Sequence, residues 1–284
     1  MNPTMNVSPT RALQTEAEAC GYIIDLIYES CGIRLHKGKE ALIQARLGKR
    51  MRHLGYSDLA GYCEFLRTGA DDAEMERVVD SLTTNFTSFL REESHFKFLV
   101  DEALPGLLSA GSRRIRLWSA ASSSGEEPYS IAFYLGDRHP AEQGWDWRVT
   151  ASDISTKVLA KARQGIYAEE RLRALPHEWL RKYFQRGTGD WSGHFRVKAG
   201  ILERVAFQQI NLIAPYSHPE PFQVIFCRNV MIYFDRPTQE QLVRQLCRYL
   251  VPHGYLLIGH SESLNGLDVP LRCLSPSIYQ RSAG

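Results

Sequence analysis

The chain contains the segment Leu117-Trp-Ser-Ala-Ala-Ser-Ser-Ser-Gly125-Glu-Glu-Pro-Tyr-Ser130, which overlaps the apolar run Arg114 to Trp118. An apolar run, small residues, a glycine, two acids and a proline in this order predict a strand, a tight turn and a helix. Backbone at such a corner can approach a ligand closely, because most of the side chains are small. Phosphate-binding loops end in Gly-Lys-Ser/Thr, which is absent here, so the corner favours a neutral or cationic nucleoside over a polyphosphate.

From Arg113 onward, strand-like and helix-like segments alternate, which predicts an α/β fold with an open, mostly parallel sheet. The predicted strands are Ile115–Ser119, Trp147–Ser152, Phe222–Cys227 and Tyr255–Gly259. The predicted helices are Tyr129–Leu135, Thr156–Arg163 and Thr238–Leu250. The interval 183–209 departs from this alternation, because a glycine-rich loop is followed by the strand-like runs His194–Lys198 and Val205–Gln209. We interpret residues 183–209 as a small antiparallel β-subdomain inserted beside the main sheet.

Residues 1–82 predict an all-α N-terminal domain of four short helices. The apolar residues at helical spacing are Ile23, Ile24, Ile27 and Cys31; Ile43, Leu47, Met51 and Leu54; Leu59, Tyr62, Cys63 and Leu66; and Met75, Val78, Val79 and Leu82. Gly32, Gly55 and Gly69 are expected to end the first three helices, and Ser57 to cap the third. Residues 83–94 lack a helical stripe and read as a linker to the α/β domain, which we place at 95–284.

The composition, 44% hydrophobic and 23% charged residues, is typical of a soluble globular protein. No apolar run approaches the ~20 residues of a membrane span, and Met1–Thr10 has no apolar signal core, so we expect a cytoplasmic protein. The six cysteines form no C-x-x-C pair, which leaves zinc and redox motifs unsupported and favours reduced thiols. A formal net charge of +2 is too small to indicate nucleic-acid binding by itself.

Polar residues follow several predicted strands, at the edge where open α/β sheets bind ligands. Asp153 follows the second strand and suits two ribose hydroxyls, although it could instead cap the next helix, a role for which Ser155 competes. Asn211 follows another strand, where its amide suits an adenine edge; the commoner role of such a residue is to stabilise a turn. An apolar strand also ends abruptly in Arg228-Asn229, whose side chains need polar partners among apolar neighbours.

Tyr233 and Arg91 each suit either a ligand-binding or a structural role. Tyr233 is either a core aromatic residue or part of the pocket around the reacting group. Arg91 lies in the polar and aromatic segment 83–92, which could cover the mouth of a site and let the guanidinium pair with a carboxylate; alternatively, the segment is a linker and Arg91 is solvated.

Together these segments resemble the CheR family of bacterial chemotaxis receptor methyltransferases, over almost the whole chain. The matching motifs are Thr83-Thr-Asn-Phe-Thr-Ser-Phe-Leu-Arg-Glu92, Gly125-Glu-Glu-Pro-Tyr-Ser-Ile-Ala132, Ala151-Ser-Asp-Ile154, Ile225-Phe-Cys-Arg-Asn-Val-Met-Ile-Tyr-Phe234 and Gly259-His-Ser-Glu262. The resemblance implies a Rossmann-like domain that transfers methyl groups from S-adenosylmethionine to glutamate carboxylates of methyl-accepting chemotaxis receptors.

The resemblance also implies roles for single residues. Those expected to hold the cofactor are Asn85, Thr87, Arg91, Glu127, Asp153, Asn211, Leu212, Asn229 and Val230, with Glu126 as the alternative to Glu127. Arg91 and Tyr233 are expected near the reacting groups. No metal is expected, since a glutamate is already ionised near pH 7 and needs no activation.

A basic helix and a glycine-rich loop are the two regions that we expect to contact the receptor. Arg46, Lys49, Arg50 and Arg52 crowd one predicted helix and suit an acidic helical partner, although most basic helix faces are merely solvated. Gly187, Gly189 and Gly193 could admit a short peptide as an added strand, or could form an ordinary flexible turn. In the resembled family such a loop marks members that bind a receptor's C-terminal pentapeptide.

Two other functions were considered beside a monomeric receptor methyltransferase. A non-catalytic receptor adaptor is disfavoured, because Asn85, Arg91, Asp153 and Asn229 occur together. A nucleic-acid methyltransferase is disfavoured because the sequence has no Asn/Asp-Pro-Pro-Tyr/Phe motif of base-flipping enzymes.

Overall fold

The computed structural model describes residue 13 and residues 15–35, 38–108 and 112–282. Met1–Thr10, whose polarity was used above, lies outside these ranges. The chain forms two compact units, one ending at Thr83 and the other beginning at Thr84, so that most of the expected linker 83–94 groups with the second unit. Across the described residues, no helix is long and apolar enough to cross a membrane.

The first unit is all helical, as the sequence predicts. Its helices are α1 (Glu16–Cys31), α2 (Glu40–His53), α3 (Leu59–Thr68) and α4 (Asp72–Leu82). Thr15 and Glu18 form a reciprocal capping box at the start of α1, and Gly32 ends that helix in the left-handed conformation at φ +72°. The cap of α3 was predicted wrongly: Asp58, not Ser57, accepts the hydrogen bond from the Gly61 N–H at 2.8 Å.

A buried carboxylate ties three of these helices together. Glu74 of α4 accepts hydrogen bonds from Tyr62 of α3 at 2.6 Å, from Arg50 of α2 at 3.0 Å and from Arg77 at 3.1 Å. Its side chain is only 3% exposed. Burial acts to raise the pKa of Glu74, but these hydrogen bonds outweigh burial and hold the pKa at about 2.

The second unit is built on a mixed sheet of seven strands. In chain order the strands are β1 (Arg114–Ser119), β2 (Asp146–Asp153), β6 (Val205–Gln209), β7 (Phe222–Cys227), β8 (Leu250–Ile258), β9 (Leu271–Ser275) and β10 (Ile278–Arg281). They lie side by side in the order β6-β2-β1-β7-β8-β10-β9. The first five are parallel, and β10 pairs antiparallel with both β8 and β9. The order reverses at β1, so the carboxyl ends of β1, β2 and β7 meet at a topological switch point.

Helices connect and cover these strands. They are α5 (Ser94–Phe98), continued through a π-helical turn (Leu99–Ala103) into α6 (Leu104–Leu107), then α7 (Glu126–Arg138), α8 (Thr156–Gln164), α9 (His177–Tyr183), α10 (Ala199–Leu202) and α11 (Arg236–Arg248). Short 3-10 turns occupy Ala141–Gln143, Glu169–Leu172, Gly189–Trp191 and Met231–Tyr233. The core contains fully buried side chains of the central strands, such as Ile115, Leu117 and Phe226, and of α7, such as Phe133.

The predicted small antiparallel sheet is present, but the range 183–209 misassigns its strands. It consists of β3 (Ile166–Ala168), β5 (His194–Val197) and β4 (Phe184–Arg186), in that spatial order. Val205–Gln209, expected in this subdomain, is wrong there: it pairs parallel to β2 as the edge strand of the main sheet. The third strand of the small sheet is β3, which precedes α9 in the chain and so lies outside the expected range. Val205–Gln209 was assigned to the small sheet because it is close in sequence to β5.

We expect Glu74→Gln to destabilise the first unit by about 3 kcal/mol at pH 7, because a buried ion pair loses one partner. The folded pKa of Glu74 lies below the usual value of 4.5, so its ionisation stabilises the fold above about pH 4.5. That contribution is lost as the pH falls towards about 2. Amide hydrogen exchange of α2 and α4 should measure the loss as the pH falls from 4.5 towards about 2.

The matched control is Glu76→Gln on the exposed side of α4. Equal protection of α2 and α4 in the two variants at pH 7 would contradict a structural role for the Glu74 carboxylate.

Candidate functional site

The corner after β1 is held closed by backbone hydrogen bonds to the neighbouring strands. Ala120 N–H donates to the carbonyl of Phe226 on β7, and Ser122 N–H donates to the carbonyl of Ser152 on β2, both at 2.8 Å. Gly125 has φ +97°, and a Cβ atom there would lie 2.8 Å from the Tyr167 hydroxyl. The turn into α7 therefore needs glycine for both its backbone angle and its space.

Asp153 closes the same corner from β2. Its Oδ2 accepts from the Ser123 N–H at 2.8 Å, and its Oδ1 accepts from the Ser155 N–H at 3.0 Å. Ser155 caps α8 by accepting from the Val158 N–H, so capping does not account for Asp153. A carboxylate offers about four lone-pair sites on its two oxygens, which is the acceptor chemistry that ribose hydroxyls need.

The segment 84–92 is an ordered part of the second unit rather than a solvated linker. Ser123 Oγ donates to the carbonyl of Asn85 at 2.7 Å, and the Leu90 N–H donates to Ser130 Oγ at 3.1 Å. Arg171 donates to the carbonyl of Thr87 at 3.2 Å. These hydrogen bonds fix the segment to the corner after β1 and to α7.

Arg228, directly after β7, anchors the end of that segment. Its side chain is 1% exposed and lies between two carboxylates, Glu92 at 3.0 Å and Glu127 at 3.2 Å. It also donates to the carbonyl of Arg91. Glu92 accepts hydrogen bonds from Arg228, whereas Nη1 lies within ion-pair distance of Glu127 without a hydrogen bond to it.

The two carboxylates beside Arg228 differ in pKa. Burial acts to raise the pKa of Glu92, but the charge of Arg228 and hydrogen bonds from the His260 N–H and the Asn229 amide lower it overall. Burial dominates at Glu127 and raises its pKa, although Arg228 and the Ser119 hydroxyl, which donates at 2.7 Å, act in the opposite direction.

The adjacent acids Glu126 and Glu127 have different partners. Glu126 is fully buried and accepts from Arg171 and from the Ser124 hydroxyl. The side chain of Glu127 retains 13% exposure. Of the two acids, Glu127 is the one with surface available to a ligand.

The turn after β7 is organised by the half-buried carboxylate of Glu262. It accepts from the backbone N–H groups of Gly259 at 2.6 Å, Asn229 at 2.9 Å and Ile232 at 3.2 Å. Burial raises its pKa against the effect of these hydrogen bonds. Asn229 has φ +58°, an uncommon backbone conformation that this carboxylate helps to hold.

The remaining predicted site residues lie beside these strand ends. Asn211 stands in the turn after β6, where its Oδ1 accepts from the Ile213 N–H at 3.3 Å, so the turn role considered from the sequence is present. Leu212 is buried next to it, and Val230 is half-buried. Tyr233 ends the 3-10 turn that follows Val230 and is half-buried rather than part of the core.

The guanidinium of Arg91 is half-buried, and its charge acts to lower the pKa of Glu127 on α7. It donates to the carbonyl of Phe86 at 3.2 Å and lies 5.7 Å from the centre of the Phe86 ring. Within the described ranges it forms no ion pair with a carboxylate, so the acid expected to meet Arg91 does not come from this part of the chain.

Glu92, His95 and His260 form a group whose possible metal-ligating atoms all lie within 4.8 Å of one another. Glu92 is already paired with Arg228, and burial together with the Arg228 charge lowers the pKa of His95 to about 3. The nearby guanidinium disfavours a further cation at this group.

The donor set at the strand ends suits a nucleoside that carries a positive centre. Asp153 and Glu127 supply carboxylates, and the corner between them consists of small side chains around Gly125. Ser122 Oγ is buried there without a hydrogen-bond partner in the described structure. A carboxylate at the end of the second strand suits ribose hydroxyls, and an acidic surface suits a sulfonium or ammonium group.

Sequence reasoning did not identify all of the residues that organise the site. Arg228 and Glu92 lay in recognised motifs but were assigned no role, although the burial of Arg228 could be expected. Arg171 gave no signal in the sequence, because its partners Glu126 and Thr87 lie far from it along the chain.

The basic residues of α2 divide into two pairs. Arg46 donates to the carbonyls of Leu82 and Thr83 at 2.7 and 3.0 Å and so caps the end of α4. Arg50 binds the buried Glu74 of its own unit. Lys49 and Arg52 are exposed.

The three glycines of the predicted peptide-binding loop surround Trp191, which is 56% exposed. Gly189 and Gly193 have positive φ, and a Cβ atom at Gly187 would lie 2.2 Å from the Trp191 carbonyl oxygen. A surface depression beside them is lined by residues of β3, β4 and β5 and by Gly187 and Trp191 of the loop between β4 and β5.

Each of the two units matches a domain model of the same protein family. Residues 20–83 match the family model described as "CheR methyltransferase, all-alpha domain", and residues 85–279 match "CheR methyltransferase, SAM binding domain". The chemotaxis protein methyltransferase of Escherichia coli K12 is 43% identical over 261 residues, which cover 92% of this chain and 89% of that protein. The Salmonella typhimurium protein of the same description is 44% identical over 261 residues, with coverage of 92% and 88%.

Proposed function

The chain belongs to the CheR family of S-adenosylmethionine-dependent chemotaxis methyltransferases, and on that premise we propose that it methylates glutamate side chains of methyl-accepting chemotaxis receptors. One observation carries the choice of acceptor: Arg91 is fixed at the carboxyl edge of the sheet, and its guanidinium has no carboxylate partner in the described part of the chain. The carboxylate of a substrate glutamate would supply that partner, unless the carboxylate of the cofactor does so.

We assign the cofactor to the corner after β1. S-adenosylmethionine, when bound, supplies a methyl group on a sulfonium sulfur. Asp153 would accept the ribose hydroxyls, and Glu127 would face a cationic group of the cofactor. The other contacts follow the family pattern, from Asn85, Thr87, Arg91, Asn211, Leu212, Asn229 and Val230.

The side chains of the site are needed mainly to orient the reacting groups. A glutamate carboxylate is ionised near pH 7 and attacks without a general base. Alignment of the attacking oxygen with the carbon it attacks can contribute up to ~7–11 kcal/mol in favourable cases. Arg91 would hold a carboxylate, of the substrate or of the cofactor, while Tyr233 would shape the space around the transferred group.

We expect label from methyl-tritiated S-adenosylmethionine to appear on a purified receptor cytoplasmic fragment as an alkali-labile ester. Arg91→Ala should lower kcat roughly 100- to 1000-fold, the loss typical for removal of one charge-stabilising donor. Thermal unfolding should change little, because the hydrogen bond of the Arg91 side chain is to the carbonyl of Phe86, five residues away in the same segment. The matched control is Arg173→Ala, an exposed arginine of the same unit.

The alternative functions make different predictions in the same assay. A non-catalytic adaptor need not bind S-adenosylhomocysteine in calorimetry, and a nucleic-acid methyltransferase would label DNA or RNA instead of protein. Unchanged methylation by Arg91→Ala would reject the role given to Arg91.

For the receptor-binding surface of α2 we propose Lys49 and Arg52, since Arg46 and Arg50 are engaged within their own unit. Exposed cations attract an acidic helix over several ångströms and so speed its capture. We take the working enzyme to be a cytoplasmic monomer, the simplest arrangement for docking on a receptor's cytoplasmic domain.

Lys49→Glu and Arg52→Glu should each raise KM for the receptor fragment several-fold at low salt, because charge complementarity is lost. The difference from the unmutated chain should shrink as salt rises towards 1 M, where the Debye length falls to about 3 Å. Arg173→Glu provides the control. A KM that is independent of salt in the unmutated chain would count against electrostatic docking.

For the small sheet we propose docking of the receptor's C-terminal pentapeptide as an added strand beside Gly187 and Trp191. The exposed indole and the close backbone approach at Gly187 support this assignment. Such tethering raises the local substrate concentration without altering the chemistry.

Gly187→Ala should lower affinity for the free pentapeptide at least tenfold, because the new Cβ atom would displace the Trp191 backbone. A receptor fragment with its C-terminal tail should be methylated faster than a fragment without the tail, and Gly187→Ala should abolish this difference. Gly200→Ala is the matched control, since a Cβ atom there meets nothing within 4 Å. Equal pentapeptide affinities, measured by calorimetry, would exclude this docking site.

A further inference from the structure

We infer that Arg228 is a positioning residue for methyl transfer, acting through Arg91 rather than on the reacting atoms. The inference rests on the proposed function. Arg228 is buried at the carboxyl end of β7 and donates to the Arg91 carbonyl, and it pairs with the carboxylate of Glu92, the next residue along the chain.

The backbone around Arg91 depends on such support. Leu90 and Glu92 both have φ +56°, in the left-handed region that non-glycine residues rarely adopt. Strained backbone of this kind persists only where surrounding contacts hold it. The Leu90 N–H is held by Ser130, and Glu92 is held by Arg228, so the residue between them is presented from a turn fixed on both sides.

An arginine is needed at position 228 because its nitrogens serve several partners at once. The Nη2 atom binds Glu92 and the Arg91 carbonyl, while Nη1 lies 3.2 Å from Glu127. The guanidinium also lies 5.4 Å from the centre of the Phe96 ring. A lysine carries its charge at one point and lacks this planar fork, so it cannot hold both carboxylates and the carbonyl together.

The chain contains a matched arginine, Arg116, near the amino-terminal ends of the strands. Arg116 of β1 bridges Asp146 at 2.7 Å and Glu220 at 2.9 Å, and its side chain is 13% exposed. It joins the amino-terminal ends of the strands, away from the candidate site. Arg116→Lys therefore removes an equivalent bridge without touching the segment that carries Arg91.

The test compares Arg228→Lys, Glu92→Gln and Arg116→Lys in the full chain. We expect Arg228→Lys to lower kcat about 100-fold, as slight misplacement of a reacting or binding group can. The Kd for S-adenosylhomocysteine, measured by calorimetry, should rise much less than kcat falls, because Arg91 and Glu127 are only two of the proposed cofactor contacts. Arg116→Lys should keep kcat within about twofold of the unmutated chain.

Two further measurements separate positioning from general stabilisation. Amides of residues 89–93 should exchange faster in Arg228→Lys than in Arg116→Lys, at matched overall stability. The loss of kcat in the double variant Arg228→Lys/Glu92→Gln should be smaller than the two single losses combined, because both changes release the same turn.

The inference would be overturned if residues 89–93 exchange equally in the two lysine variants, or if Arg228→Lys retains its kcat. It would also fail if S-adenosylhomocysteine affinity falls as steeply as kcat, since Arg228 would then act on the cofactor site alone. The exchange measurement requires no methyl transfer, so its result stands even if the receptor fragment is not a substrate.

Discussion

The arrangement of the strand ends depends on the burial of one positive charge. A guanidinium removed from water is costly unless carboxylates and carbonyls surround it. Arg228 meets that requirement with Glu92 and Glu127, which come from the segment before α5 and from the first turn of α7. Three distant parts of the chain are thereby held at one edge of the sheet.

Strained backbone is concentrated around the same edge. Leu90, Glu92, Ser123 and Asn229 are non-glycine residues with positive φ, and each lies within or beside a predicted cofactor-binding motif. The backbone N–H groups of Leu90, Ser123 and Asn229 donate to the side chains of Ser130, Asp153 and Glu262, and these hydrogen bonds hold the strained backbone in place. Such strain is common at functional sites, where surrounding contacts maintain conformations that the local sequence would not choose.

Much of the fold was predictable because its signals are local. The helical stripes of the first unit and the strands Ile115–Ser119 and Phe222–Cys227 follow from apolar periodicity and recur in the structure within a residue or two. The cap at Asp58 was missed because Ser57 is an equally good capping residue. The strand Val205–Gln209 was misplaced because pairing is decided by distant neighbours that periodicity does not identify.

The sequence by itself determined the α/β alternation, the glycine corner, the family and the acids at the strand ends, because each is written in adjacent residues. Only the tertiary structure decided which charges meet. It paired Arg50 with Glu74 inside the first unit, Arg171 with Glu126 and Arg228 with Glu92 and Glu127, and it left the Arg91 guanidinium without an acid among the described residues. Ion pairs join residues far apart in sequence, and the choice among many possible partners follows from burial and distance, which exist only in the folded chain.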